Sequence, residues 1–239
     1  MIRESFDIEF IRIIIPKLLG AVPVTLKMSF ASILFGCLAG LLLAYIKVSG
    51  PKVLRSGTNI LTMLLRAIPD VVILYIIYFG LPIFMKSIFG ISLASWQKQT
   101  FAIIALAIGF SATSSEMFRS AYSSLDKGQL EAAQAMGMNG WQRLRRIIFP
   151  QGLYVILPNL AGACLAITQA TALAYTLGIM DITGKSRILD TNAGGLKTFE
   201  CYLTVALFYW AISFVIGAVF KGLEMRFGKG LKTVATKDT

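Results

Sequence analysis

Apolar residues in this chain gather in long runs rather than alternating with polar ones. A helix that crosses a bilayer takes about 20 consecutive, mostly apolar residues. Five stretches meet that requirement, at 24–46, 61–83, 101–122, 153–179 and 202–220. The pattern predicts an all-α membrane protein with five transmembrane helices, organised as a single domain over residues 1–239. The fourth run is longer than one crossing needs, which predicts a tilt or a break within it. Ahead of the first run, residues 1–22 mix acidic and basic side chains with a short apolar run interrupted by Pro16. That is a poor secretory signal, and it predicts an amphipathic segment lying along the membrane.

Composition narrows the class. Hydrophobic residues make up 56% of the 239 and charged residues only 15%, whereas a soluble domain is nearer one-half and one-quarter. The net charge is +11, but the basic residues are scattered between apolar runs with no nucleic-acid-reading motif, so nucleic acid is not the expected partner. Membrane lipid is. With five crossings, one side collects Lys47, Lys52, Arg55, Arg119, Lys127, Arg143, Arg145, Arg146, Lys221, Arg226, Lys229, Lys232 and Lys237. The other holds Arg3, Arg12, Lys17, Lys86, Lys98, Lys185, Arg187 and Lys197. The positive-inside tendency then places the C-terminus and the 123–150 loop in the cytoplasm and the N-terminus outside. Cys37, Cys164 and Cys201 have neither disulfide-framework nor zinc-site spacing and read as small packing residues. Histidine is absent, which excludes His catalysis and His metal ligation, and no metal site is expected.

Ionisable and polar residues inside the runs are costly unless they face protein or water. Arg66, Pro69 and Asp70 fall together in the second run. Pro69 breaks the helical ladder, and the group reads either as the lining of a cavity or as an Arg–Asp pair holding a kink. Glu116 and Arg119 stand one turn apart near the cytoplasmic end of the third run, placed to pair with each other. Gln169 and Thr171 lie mid-way along the fourth, available to a substrate or to a neighbouring helix. Gly36 and Gly40 form a G-x-x-x-G in the first run, a spacing that lets helices approach closely.

The 123–150 loop carries the most legible signal. Asp126 can cap a short helix, residues 130–136 favour one, and Gly137 supplies a left-handed end. A second short helix over 141–149 is expected to stop at Pro150. The pattern Glu131-Ala132-Ala133, Gly137, Ile147 and Pro150 resembles the EAA loop of ABC importer permeases, with Phe149 where that pattern usually has Leu. The likeness continues outside the loop. Leu65-Arg66-Ala67-Ile68-Pro69, Glu116-Met117-Phe118-Arg119-Ser120 and Pro150-Gln151-Gly152-Leu153 are similar to elements of polar amino-acid permeases, and 123–137 and 178–184 to permeases for cystine. The similarity covers roughly 22–227. One family element departs: the Lys-Asp pair usually present in the fourth span is replaced by Gln169-Ala170 ahead of Thr171, so its task is done differently here or left to a partner subunit.

The resemblance implies the type I ABC importer permease fold with a cytoplasmic coupling helix. It implies a transport subunit in a bacterial cell membrane that imports a polar amino acid, cystine among the candidates. The implied partners are a cytoplasmic ABC ATPase dimer, a second permease copy or a homologous permease, and an extracytoplasmic amino-acid-binding protein. No cofactor is expected in this chain, since ATP and Mg would be bound by the partner ATPase, and the chain itself would not be an enzyme. Residues 178–186 nearly spell a phosphate-binding loop, but five residues separate Gly178 from Gly184 where that motif requires four. An ion-gradient-driven secondary transporter of small polar solutes is the alternative. It predicts inverted repeats, which five spans do not divide into.

Overall fold

The structure, a computed structural model, describes residues 6–228. Arg3 and Glu4 of the N-terminal segment, and Lys229, Lys232 and Lys237 of the tail, lie outside the described residues. Within them the chain forms helices α1 (Ile8–Leu19), α2 (Val22–Ser49), α3 (Lys52–Ala67), α4 (Asp70–Phe89), α5 (Lys98–Ser123), α6 (Lys127–Ala135), α7 (Gly140–Leu177), α8 (Ile182–Asn192) and α9 (Thr198–Gly228), with no strand among the described residues. Five of these, α2, α4, α5, α7 and α9, are long and apolar enough to cross a membrane.

The centre of the fold is the parallel pair α2 and α5. Gly36 and Gly40 let the two backbones approach: a Cβ at Gly36 would lie 2.8 Å from Phe110 Cδ1, and one at Gly40 would fall on the Ser114 hydroxyl. Ser114 then donates to the Gly36 carbonyl at 3.1 Å. In lipid, where apolar surface gains nothing by leaving the solvent, such close packing and polar bridging hold helices together. α7 runs antiparallel to α5, with Cys164 and Ile167 around the buried Phe110, and the Ser29 and Thr168 hydroxyls bond at 2.6 Å. Helix direction alternates along the chain, so the α1–α8 end and the α6 end are opposite ends of the bundle.

Four details differ from the sequence-based expectation. The second span does not run as one helix from residue 61. α3 ends at Ala67, Ile68 and Pro69 are extended, and α4 begins at Asp70. A residue before proline is driven out of the helical region, and proline has no N–H to continue the ladder. Pro16, by contrast, is carried inside α1. That helix is not merely laid on the membrane, because Ile14 and Leu18 are buried against Cys201, Leu189 and Phe208. Asp7 clasps it in place through Lys197 (3.1 Å), and its backbone N–H donates to Glu200 Oε1 at 3.0 Å. Finally, the helix after Asn139 does not stop at Pro150. It continues 38 residues to Leu177, because a π-helical turn over Leu144–Ile148 precedes the proline and absorbs it. The final turns, Thr171–Leu177, tighten to 3₁₀.

Candidate functional site

At the α6 end of the bundle, Asp126 accepts from the Gly128 N–H at 2.8 Å and starts α6. The helix ends where Gly137 turns left-handed at φ +77, and the Met138 N–H returns to the Ala133 carbonyl at 3.0 Å. Asn139 and Gln142 then exchange bonds of 2.9 Å each, a capping box that opens α7. Ala133 is buried, while Glu131 and Ala132 on the adjoining face are exposed. Met136 and Trp141 stand out at the turn, 82% and 69% exposed.

Two side-chain bonds tie α6 to the start of α7: Gln151 Nε2 to Gln129 Oε1 at 2.7 Å, and an Arg143 guanidinium N–H to Gln134 Oε1 at 2.9 Å. Of the remaining loop residues, Ile147 is half-buried in the π turn and Pro150 is exposed just above it. Behind the loop lies a hollow of about 1110 Å³ between α2, α5, α6 and α7. The result is a short helix that is fixed to the bundle by its own side chains while offering Glu131, Ala132 and two apolar tips outward.

A second cluster occupies the same half of the spans. Lys47 is buried, and its Nζ donates to Thr62 Oγ1 (2.7 Å), Ser115 Oγ (3.1 Å) and Glu116 Oε1 (2.5 Å), so one cation joins α2, α3 and α5. The other oxygen of Glu116 takes Arg119 Nε at 2.8 Å. Sequence reading placed Lys47 among the loop charges, and the structure corrects this. The available signal was depth, since Lys47 and Glu116 fall at matching levels of two spans that run the same way. Arg66 faces a hollow of about 380 Å³ with Thr62 and Glu116. Asp70, across the break at Pro69, lies beside Gly109, where a Cβ would be 3.3 Å from its Oδ1. No ion pair joins Arg66 to Asp70 among the described residues, so the kink is not held by such a pair. Gln169 is exposed, whereas Thr171 is buried and donates to the Thr168 carbonyl at 2.7 Å, a bond internal to its own helix.

At the opposite end, the stretch resembling a phosphate loop is a helix start. Gly178 ends α7 at φ +74. Asp181 caps α8 by accepting from the Gly184 N–H at 2.7 Å, and a side chain at Gly184 would strike the Ile179 carbonyl. Asp181 is fully buried, and burial pushes its carboxyl up to about 6 against the lowering effect of its hydrogen bonds. The Tyr209 hydroxyl donates to it at 3.4 Å. No group of His, Cys, Asp and Glu fit to hold a metal occurs among the described residues.

A short helix with an exposed face is thus braced at one end of five spans. Residues 32–229 match the family described as the inner membrane component of binding-protein-dependent transport systems. The chain belongs to that family. It is therefore a multi-pass inner-membrane permease, and as a permease subunit it is no enzyme itself; ATP hydrolysis lies in a partner. The permease is 33% identical to the probable amino-acid permease protein YxeN of Bacillus subtilis (strain 168), over 96% of this chain and 100% of the relative. It is 29% identical to the L-cystine transport system permease protein TcyL of the same organism, over 98% and 97%. Among solved structures, it superposes on a chain of an amino acid ABC transporter crystallised with histidines with a TM-score of 0.78 at 27% identity, over 93% of this chain and 100% of that one. Family membership decides against the ion-gradient-driven alternative.

Proposed function

We propose that this permease forms the translocation pathway of an ATP-driven importer of polar amino acids, with L-cystine the first ligand to test. In this reading α6 is the coupling helix: Glu131 and Ala132 meet a cytoplasmic ABC ATPase, Ala133 and Gly137 set the helix close and end it, and Ile147 and Pro150 seat it on α7. Two permeases, either two copies or one with a homologue, enclose the pathway above an ATPase dimer that binds ATP and Mg, and an extracytoplasmic binding protein delivers the ligand. The 123–150 loop and the C-terminus lie in the cytoplasm and the N-terminus outside. Arg66, Pro69, Asp70, Glu116 and Gln169 belong to the pathway, and Thr171 supports it from within α7.

The observation that carries this reading is the bracing of α6 by Gln129–Gln151 and Gln134–Arg143. It leaves Glu131 and Ala132 free to meet a partner while binding the helix to a span. Reconstitution with the ATPase, with and without Glu131→Lys, tests it. Ligand-stimulated hydrolysis is expected in the wild type and at least tenfold less in the variant, equivalent to about 1.4 kcal/mol of lost coupling. An ATPase that neither co-purifies nor responds to the substitution would defeat the assignment of the loop. Calorimetric titration of the binding protein with cystine and other polar amino acids identifies the ligand.

A further inference from the structure

The hollow of about 1110 Å³ behind the loop changes character along its length. On the α7 side its wall from Ile148 to Leu160 is apolar, a run of about 18 Å at the usual rise per residue. Leu41 of α2 and Phe118 of α5 face the same space. Half of the hydrocarbon layer is about 15 Å thick, so this part matches the depth of one leaflet. Gly152 is buried in the wall, yet a Cβ built on it would meet nothing within 4 Å, so the hollow reaches the backbone of α7. At the α6 end the lining turns polar, with Lys127, Glu131 and Arg143. Tyr45 and Tyr122 line it near the ends of α2 and α5, as aromatic side chains do at a membrane interface. Lys127 makes no hydrogen bond or ion pair among the described residues, and Arg143 gives one guanidinium N–H to Gln134 and keeps the others. Set against Glu131, the two cations leave this mouth positive, and Arg145 and Arg146 follow on the adjoining turn. A water-soluble ligand would leave the deep wall unmatched, and a plain hydrocarbon would leave the cations unmet. An amphiphile with an anionic head satisfies both.

We propose that this hollow is a lipid site, in which an anionic phospholipid sets its head against Lys127 and Arg143 and lays an acyl chain along α7 past Gly152. Basic pockets between spans on the cytoplasmic side suit such heads. The lipid fills the space between α6 and the spans, so the bilayer itself becomes part of the seat on which α6 rests. The inference goes beyond the transport reading and needs only that the α6 end of the bundle lies at a membrane face.

The test strips the full-length permease of lipid in detergent and titrates it with dioleoyl phosphatidylglycerol or dioleoyl phosphatidylcholine, counting lipids per chain by native mass spectrometry. One saturable phosphatidylglycerol per chain is expected, held about tenfold tighter than phosphatidylcholine, the effect of a charge-assisted contact. Lys127→Gln is expected to bring the two lipids within about threefold of each other while leaving phosphatidylcholine unchanged. Gly152→Leu puts a side chain in the path of the acyl chain and is expected to weaken both lipids about tenfold. Leucine is the better helix former, so the unfolding temperature of that variant without lipid is expected to hold or rise. Should Gly152→Leu fail to fold, the head preference of Lys127→Gln decides alone. A ladder of lipids with no saturable step and no head preference is ordinary annular lipid and overturns the inference. Saturable binding that neither substitution alters overturns it too, because the lipid then sits elsewhere. So does the absence of bound lipid, the result expected if a second copy of the chain fills the hollow.

Discussion

Burial and hydrogen bonding pull in opposite directions at Asp181. Its carboxyl caps α8, yet enclosure raises it from 3.8 to about 6, so the folded protein holds a proton that the unfolded chain has already released. Stability therefore falls as pH rises between those two values, and the loss is complete above the upper one, amounting to about 3 kcal/mol at 1.36 kcal/mol per unit. Asp181→Asn keeps an acceptor for the Gly184 N–H and removes the charge. The variant is expected to unfold at a higher temperature than the wild type at pH 8, with the gap narrowing as the pH is lowered to 5. Thermal unfolding in detergent across that range measures both values; a gap that widens toward acid would show that the charged form is the favoured one. Lys47 is the contrasting case, a buried cation whose hydrogen bonds to Thr62, Ser115 and Glu116 satisfy all three of its protons.

Among the elements, the α2–α5 pair depends on two residues lacking a side chain. Gly40→Ala places a methyl group on Ser114 with the Ser111 carbonyl 3.0 Å away, and the backbone cannot retreat without parting the helices. The expected cost is about 1–3 kcal/mol. Gly217→Ala in α9, where nothing lies within 4 Å, is expected to be neutral or slightly stabilising, since alanine is the better helix former by about 1 kcal/mol. Comparing yield and unfolding temperature of the two variants checks the claim. What sequence revealed of these elements follows the range of the interactions. Asp126, Gly137 and the apolar runs act on neighbours a few residues away, and each was legible. Lys47 was not, because its partners are 15, 68 and 69 residues distant and only the relative depth of separate spans brings them together. Pro150 was misread for a local reason: a proline ends an ordinary helix, but the wider π turn ahead of it dispenses with the missing N–H. The charged break at Pro69 was half legible, since the proline announced the interruption but not that Arg66 and Asp70 would remain unpaired.

For the whole molecule, the proposed coupling role makes the bonds from Gln129 to Gln151 and from Gln134 to Arg143 the links by which motion at the loop reaches the spans. Removing both with Gln151→Ala and Arg143→Ala is expected to leave ATPase binding intact and to reduce transport per ATP hydrolysed several-fold. Pull-down alongside uptake in proteoliposomes separates the two effects, and an unaltered transport-to-hydrolysis ratio would show that the bonds carry no force.

The unbroken run of α7 has a mechanical corollary. Its 38 residues extend about 60 Å at the usual rise per residue, twice the roughly 30 Å of hydrocarbon they traverse. A helix twice as long as the layer it pierces, held around Phe110 at Cys164 and Ile167 about two-thirds of the way along, carries one continuous backbone from the loop to the opposite end. In the proposed coupling role, a push at its foot has to pass the π turn over Leu144–Ile148 and the 3₁₀ turns over Thr171–Leu177 before it is felt at the far tip.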